Sequence, residues 1–440
     1  MSFLFSFLKN ANQFLWNGPM LFILLGSHLF FTIRTCCIQR KLPLAVRLSV
    51  KNKVSGHGMG AFSSLATTLA ATLGTGNIIG ISTAIALGGP GAVFWCWLTG
   101  LLGMATTYVE CFLSLHFRKK RSDGSFYGGP MHLLKDELRA PRAGTFYAYL
   151  LLASSFCVGC STQSQAITQT LSSAFSLPSF PIGLCLSLLL FLALLKGVRG
   201  ISKICTVLIP VMGIFYLLAC IILLILHADF LFPAIKTIFS SAFSLSSVNG
   251  GLLGSSFLLS ARYGIARGLF TNESGLGSAP VAAANSEGKA ENQALVLMSA
   301  TFWDTVIMCT VTGLVIVSSM LRTPSLFASQ NIGDYTLAAF SVLPGGAAFL
   351  AVSIVLFAVA TLLGWSFFGE KAAEFLFGNT QIKTYRFLYC FMIFLGSQMT
   401  LSLVWELSDF LNALMMLPNI FSLFLLRQHL PQPSLFQKHR

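Results

Sequence analysis

Apolar runs of about twenty residues recur along this 440-residue chain, separated by loops that hold most of its charge. A run of that length crosses a bilayer as a helix. Lipid offers no hydrogen bonds, so each backbone group must be satisfied within its own element. Such stretches lie at roughly 18–33, 58–87, 90–117, 144–172, 182–195, 203–226, 246–285, 293–320, 346–368, 385–402 and 404–426. Hydrophobic residues make up 55% of the chain and charged ones 10%, too few polar groups to clothe a water-soluble globule. The expected class is an all-α polytopic membrane protein with about 11 transmembrane helices.

The basic residues give an orientation. Of 28 Lys and Arg, 23 fall in alternate loops and in the tail, while the opposite loops hold Lys9, Lys236 and Arg322. The positive-inside rule then places the N-terminus outside and the C-terminus in the cytoplasm, in a bacterial-type plasma membrane. The net charge of +14 is thus a topology signal with some affinity for anionic lipid; nucleic acid is not an expected partner. The opening "MSFLFSFLKNANQFLW" carries Lys9 after its apolar part and lacks a small-residue cleavage site, so the first span is expected to act as the targeting signal. The cysteines are scattered, and the Cys157/Cys160 pair has no histidine near in sequence, which favours packing over metal or redox chemistry.

Two spans are too long and too rich in glycine to be simple helices. In 58–87, "LGTGNIIGIS" sets Gly74, Thr75, Gly76, Asn77 and Gly80 where a helix would be weakest. Close helix packing explains Gly76 and Gly80. It does not explain the polar side chains, which cost about 1–3 kcal/mol each if left unpaired. In 246–285, "GLFTNESGLGSAP" gathers Gly268, Thr271, Asn272, Glu273, Ser274, Gly275, Gly277, Ser278 and Pro280. With the first span set aside, the remaining ten divide five and five, each half opening with its interrupted helix and the halves running in opposite senses. This is the pattern of an inverted repeat, whose paired breaks mark a binding site. The expected units are 1–57, an N-terminal helix with a basic loop; 58–226 and 246–427, the two repeats; and 428–440, a cytoplasmic tail. At each break a half-helix N-terminus suits a carboxylate, and freed carbonyls suit an ammonium group or a small cation. A small zwitterion satisfies both. No hydrolase or phosphate-loop motif is present, so secondary transport is favoured over an enzyme or an ATP-driven pump. An uncoupled channel would need rings of like polar residues, and a sensor would need an output domain.

The segments "ATLGTGNIIGISTAIALGGPGAVFWCWLTGLLGMATTYVE", "YGGPMHLL", "ARYGIARGLFTNESGLGSAPVAAA", "TFWDTVIMCTVTG" and "LLGWSFFGE" resemble the alanine or glycine:cation symporter family over roughly residues 15 to 427. The resemblance implies a leucine-transporter-like 5+5 inverted repeat plus an extra N-terminal helix, and import of a small neutral amino acid with Na+ or H+. It implies no organic cofactor and no obligatory protein partner. It also implies that Thr75, Gly76 and Asn77 at the first break, and Phe270, Thr271, Asn272 and Gly275 at the second, wrap the substrate. Gln163 in "GCSTQSQAI" matches a family glutamine and either holds a substrate group or clasps two helices; Gln165 replaces the family's asparagine. Trp365 either walls the substrate's side chain or simply packs.

One departure bears on the cation. Where the family has Ser-Thr before its Leu-Gly-Trp motif, this chain has Ala360-Thr361. In folds of this type those hydroxyls join carbonyls of the first broken helix, here near Ala70 and Leu73, around Na+. Losing one oxygen weakens a hard-cation site, which keeps H+ coupling open. Among acids within spans, Asp304 lies near the cation, relays a proton, or pairs with Arg262 or Arg267. Glu110 is expected to pair with Arg118 near the cytoplasm. Glu273 reads as a cytoplasmic gate contact, because a second carboxylate would repel the substrate's own. Glu370, Lys371 and Glu374 read as a solvated face, and Glu406 and Asp409 as the outer start of the last span.

Overall fold

The computed structural model describes residues 2–51, 60–122, 126–195, 197–244, 257–328, 330 and 333–431. Parts of the expected spans 58–87 and 246–285 and most of the tail lie outside the described residues. The chain is helical almost throughout; a two-stranded hairpin pairs Lys119–Lys120 with Phe126–Tyr127.

A helix α1 (Ser2–Trp16) joins α2 (Pro19–Arg34) at a 42° bend. Proline at the first position of α2 costs no hydrogen bond there, so the chain turns and restarts at low cost. After the amphipathic α3 (Leu42–Lys51) come α4 (Ala61–Thr72) and α5 (Ile79–Gly88), with one 3₁₀ turn, Thr75–Asn77, between them. Then follow α6 (Ala92–His116), α7 (Pro141–Phe175), α8 (Ser179–Leu194), α9 (Gly197–Leu226) and α10 (Ala228–Ala242). The second interrupted segment is α11 (Phe257–Asn272) and the short α12 (Ala279–Ala283). The chain continues through α13 (Ala290–Arg322), α14 (Tyr335–Phe340), α15 (Gly346–Phe377), α16 (Ile382–Ser397) and α17 (Leu401–Leu425).

Among the described residues six helices, α6, α7, α9, α13, α15 and α17, are long and apolar enough to span a membrane alone, and the bent α1–α2 pair makes a seventh. Three differences from the sequence reading stand out. Residues 2–16 form a full helix, α10 follows α9 directly, and α15 runs nine residues past 368.

Burial separates an inner bundle from an outer one. The residues of α4 from Ser64 to Thr72 are all buried, as are those of α11 from Ser260 to Asn272 apart from Arg262 and Tyr263. By contrast α8 and α9 expose Leu184, Leu188, Leu192, Val207, Ile214, Leu218 and Ile225, which is the face a helix turns to lipid. α6 packs against α11 and α13, and α15 against α4, α7 and α9. The two interrupted helices therefore sit where backbone freed from helical bonding is enclosed by protein, the only place lipid tolerates it.

Candidate binding site at the two helix breaks

α4 ends when Leu73 N–H bonds Leu69 O at 2.7 Å and Gly74 turns extended. Asn77 closes the turn: its Oδ1 accepts Gly74 N–H at 3.0 Å. Its Nδ2 donates to Asp304 Oδ1 at 2.7 Å and to the Asp304 carbonyl at 3.1 Å. Gln163 Oε1 accepts from the Thr75 hydroxyl at 2.9 Å and from Thr75 N–H at 3.3 Å. Thr361 reaches the break from α15, its Oγ1 3.4 Å from Leu73 O and 3.2 Å from Phe357 O. Gly364, one turn on, meets Ala70 and Ala71 so closely that an added Cβ would lie 2.5 Å from Ala71 N. Thus Ala70, Leu73 and Thr361 share one corner of the first break.

The second break uses left-handed backbone at Glu273 (φ 56°), Gly275 (φ 97°) and Gly277 (φ 83°). Two of the three are glycines because that region costs other residues energy. At Gly277 there is also no room, since a Cβ would lie 2.5 Å from Tyr147 Oη. Freed groups find side-chain partners. Asn272 Oδ1 accepts Ser274 N–H at 2.9 Å, Glu110 Oε1 accepts Gly277 N–H at 3.1 Å, and Asn419 Nδ2 donates to Gly275 O at 2.9 Å. The Tyr147 hydroxyl donates to Leu276 O at 2.8 Å.

The two breaks touch. A methyl placed on Gly76 would lie 2.6 Å from Thr271 Cγ2 and 3.0 Å from Phe270 Cδ1. Asp304 links them on the other side: its Oδ2 accepts from the Thr305 hydroxyl at 2.7 Å, and Thr305 in turn meets Thr271 at 3.3 Å. Asp304 is fully buried in a π-helical stretch of α13, Phe302–Cys309. Trp365 is fully buried against Gly159 of α7 and donates its indole N–H to Glu273 Oε1 at 2.9 Å; Ser278 holds the other Glu273 oxygen. So Thr75, Gly76, Asn77, Gln163, Phe270, Thr271, Thr361 and Asp304 converge, with Asn272, Gly275 and Trp365 along the second break.

Several acids sit otherwise than expected. Arg267 pairs with Asp409, not with Asp304. Glu110 faces the second break and Asn419, while Arg118 donates to the carbonyls of Ser286 and Gly288. Eight residues separate Glu110 from Arg118, but Arg118 lies past the helix end at His116 and leaves its axis. Glu370 and Glu374 are buried rather than solvated. Arg386 grips Glu370 at 2.8 and 3.0 Å, and Glu374 pairs with Lys371 at 2.9 Å and with Arg121. Glu273 stands in the second break, as the sequence places it, with its carboxylate held by Trp365 and Ser278. Asn419 went unread in the sequence, although a polar residue after Pro418 in an apolar run was a signal for it.

Comparison with known proteins gives a consistent pattern. The sodium:alanine symporter family profile matches residues 1–433. The sodium/alanine symporter AgcS of Methanococcus maripaludis is 37% identical over 96% of this chain and 94% of its own length. A putative sodium/proton-dependent alanine carrier protein, YrbD of Bacillus subtilis, is 33% identical over 96% and 90%, and the probable sodium/glutamine symporter GlnT of that organism is 32% identical over 94% and 87%. In fold the chain resembles a substrate-bound, outward-open Na+-coupled sialic acid symporter, with a TM-score of 0.51 and 13% identity over 88% of this chain and 82% of that one. It also resembles the Eremococcus coleocola manganese transporter, with a TM-score of 0.52 and 16% identity over 85% and 79%.

Proposed function

The chain belongs to the sodium:alanine symporter family, and on that premise we propose that it imports alanine or glycine together with Na+ or H+ by alternating access. A member of this family is an integral membrane transporter, not an enzyme. The contact between the two helix breaks at Gly76, Phe270 and Thr271 carries the reading. It brings freed backbone groups of two helices together, with Phe270 and Trp365 as large neighbours that suit a short side chain. The α-carboxylate is assigned to the freed amides of the breaks, and the ammonium group to freed carbonyls with Gln163 nearby.

Na+ is assigned to the corner formed by the carbonyls of Ala70 and Leu73 and the Thr361 hydroxyl, since Na+ takes hard oxygen ligands. Asp304, bonded to Asn77 and Thr305, ties the first break to the second and is the residue through which a proton would act if H+ replaces Na+. Element order supports a 5+5 inverted repeat: α4–α5, α6, α7, α8 and α9 in one half, and α11–α12, α13, α15, α16 and α17 in the other, with α1–α2 extra. Ion pairs close both ends. Arg267–Asp409, with the guanidinium 4.2 Å over the Trp405 ring, stands at the end assigned to the outside; the Arg121–Glu374–Lys371 and Arg386–Glu370 contacts stand at the end assigned to the cytoplasm.

Uptake of radiolabelled alanine into proteoliposomes tests this. Accumulation above equilibrium is expected only with an inward Na+ or H+ gradient. Equal accumulation with and without both gradients would overturn it.

A further inference from the structure

We propose that the cavity next to the Phe270–Trp405 contact is a second, weaker amino-acid site, where the incoming zwitterion docks by its charged ends before reaching the helix breaks. This rests on the transport reading above. The cavity has a volume of ≈ 890 Å³ and is lined by α1, α11 and the start of α17. From α1 it receives Phe5, Lys9, Asn12 and Trp16, whose spacing of four, three and four places them on one helix face. Trp405 lies between the cavity and the breaks, since its ring stands 4.5 Å from Phe270, which itself abuts Gly76.

The charges of the lining leave cationic capacity over. Asp409 is held by Arg267 Nη2, and Glu406 accepts from Asn12 Nδ2 at 2.6 Å. Arg262 lines the cavity and makes no ion pair among the described residues. Arg267 is 4% exposed, yet its Nε and Nη1 have no acceptor. A guanidinium carries five donors in a planar fork that matches a carboxylate, and buried donors left unpaired are costly. Arg262, half-buried on the cavity wall, offers that fork to a ligand carboxylate. Lys9 adds a third positive charge, while Glu406 and Asp409 provide the negative side that an ammonium group needs. Such a lining offers each charged end of a zwitterion a partner of opposite sign and so holds it close to the breaks.

The test uses the full-length protein in lipid nanodiscs, with radiolabelled alanine bound at equilibrium and after rapid mixing. The variants Arg262→Gln and Glu406→Gln lie outside the Arg267–Asp409 pair and outside both breaks, and Arg262→Lys is the charge-preserving control. Wild type should show two classes of site. Arg262→Gln should lose the weaker class and associate about threefold to tenfold more slowly, with the Kd of the tight class unchanged. Arg262→Lys should restore the rate, and alaninamide, which lacks the carboxylate, should fail to compete at the weaker class. A single class in wild type, or wild-type association rates in both Arg262→Gln and Glu406→Gln, overturns the inference while leaving transport intact. Absence of any saturable alanine binding in wild type overturns the transport reading itself, and the second site with it.

Discussion

Replacing Gly74 by Ala adds one methyl group to the first break at the place where α15 touches it. The backbone there is extended (φ −130°, ψ −157°), which any residue adopts, so the change acts through space alone. The new Cβ would lie 2.4 Å from Thr361 Oγ1, where ordinary contact begins at 3.4 Å, so the hydroxyl must retreat by about 1 Å. Thr361 is β-branched within a helix and has few rotamers to retreat into. Moving away from the methyl takes Oγ1 off Leu73 O and out of the corner assigned to Na+. Loss of one oxygen from a charged partner costs about 1.5–3 kcal/mol, which is about tenfold to hundredfold in the Na+ concentration for half-maximal uptake. The assay is the Na+ dependence of alanine uptake in proteoliposomes, with the thermal midpoint as a folding control. Thr361→Ala removes the same oxygen, so the Gly74→Ala/Thr361→Ala double variant should be no worse than Thr361→Ala alone. Additive effects, or an unchanged Na+ requirement in Gly74→Ala, would refute the placement of the cation.

Three further outcomes are expected. Asp304→Ala removes the side-chain acceptor of both Asn77 and Thr305, leaving Asn77 the backbone carbonyl at position 304 and Thr305 only its 3.3 Å contact with Thr271; a loss of about 1–3 kcal/mol follows, and equilibrium alanine binding should weaken about tenfold. Ala360→Ser adds a hydroxyl beside Thr361 and should lower the Na+ concentration for half-maximal uptake several-fold, read in the same assay. Burial pushes the His132 imidazole down from 6.5 to about 4. The folded chain then refuses a proton that the unfolded chain accepts, so stability present above about 6.5 is lost as pH falls towards 4, by about 2 kcal/mol at pH 5. His132→Gln should flatten the fall in thermal midpoint between about pH 7 and 5.

The broken helices were legible because glycine and polar residues inside a lipid-length apolar run leave few other solutions. Gly74, Gly275 and Gly277 signal the breaks by composition alone. Side-chain pairing was less legible, since hydropathy says that a charge is buried but not which way it faces. Asp304 lies in a π-helical stretch that shifts the helical register, so its meeting with Asn77 rather than Arg267 goes with a local underwinding that no apolar spacing reveals. Arg267 turns instead towards Asp409, 142 residues away in the chain. Glu370 and Glu374 look like a wet helix end, but they are covered by Arg121 and Arg386 from distant elements. α1 is short and carries Lys9 on its apolar length, and the cavity it helps to line explains why a charge sits there.

The most direct measurement is a cryo-EM map of the protein with alanine and Na+ bound. The expected density is a zwitterion within hydrogen-bonding distance of backbone groups in both 74–77 and 270–275, with a separate ion beside Leu73 and Thr361. A ligand that touches one break only, or a first interrupted helix that winds unbroken past Gly74 in the bound protein, would contradict it.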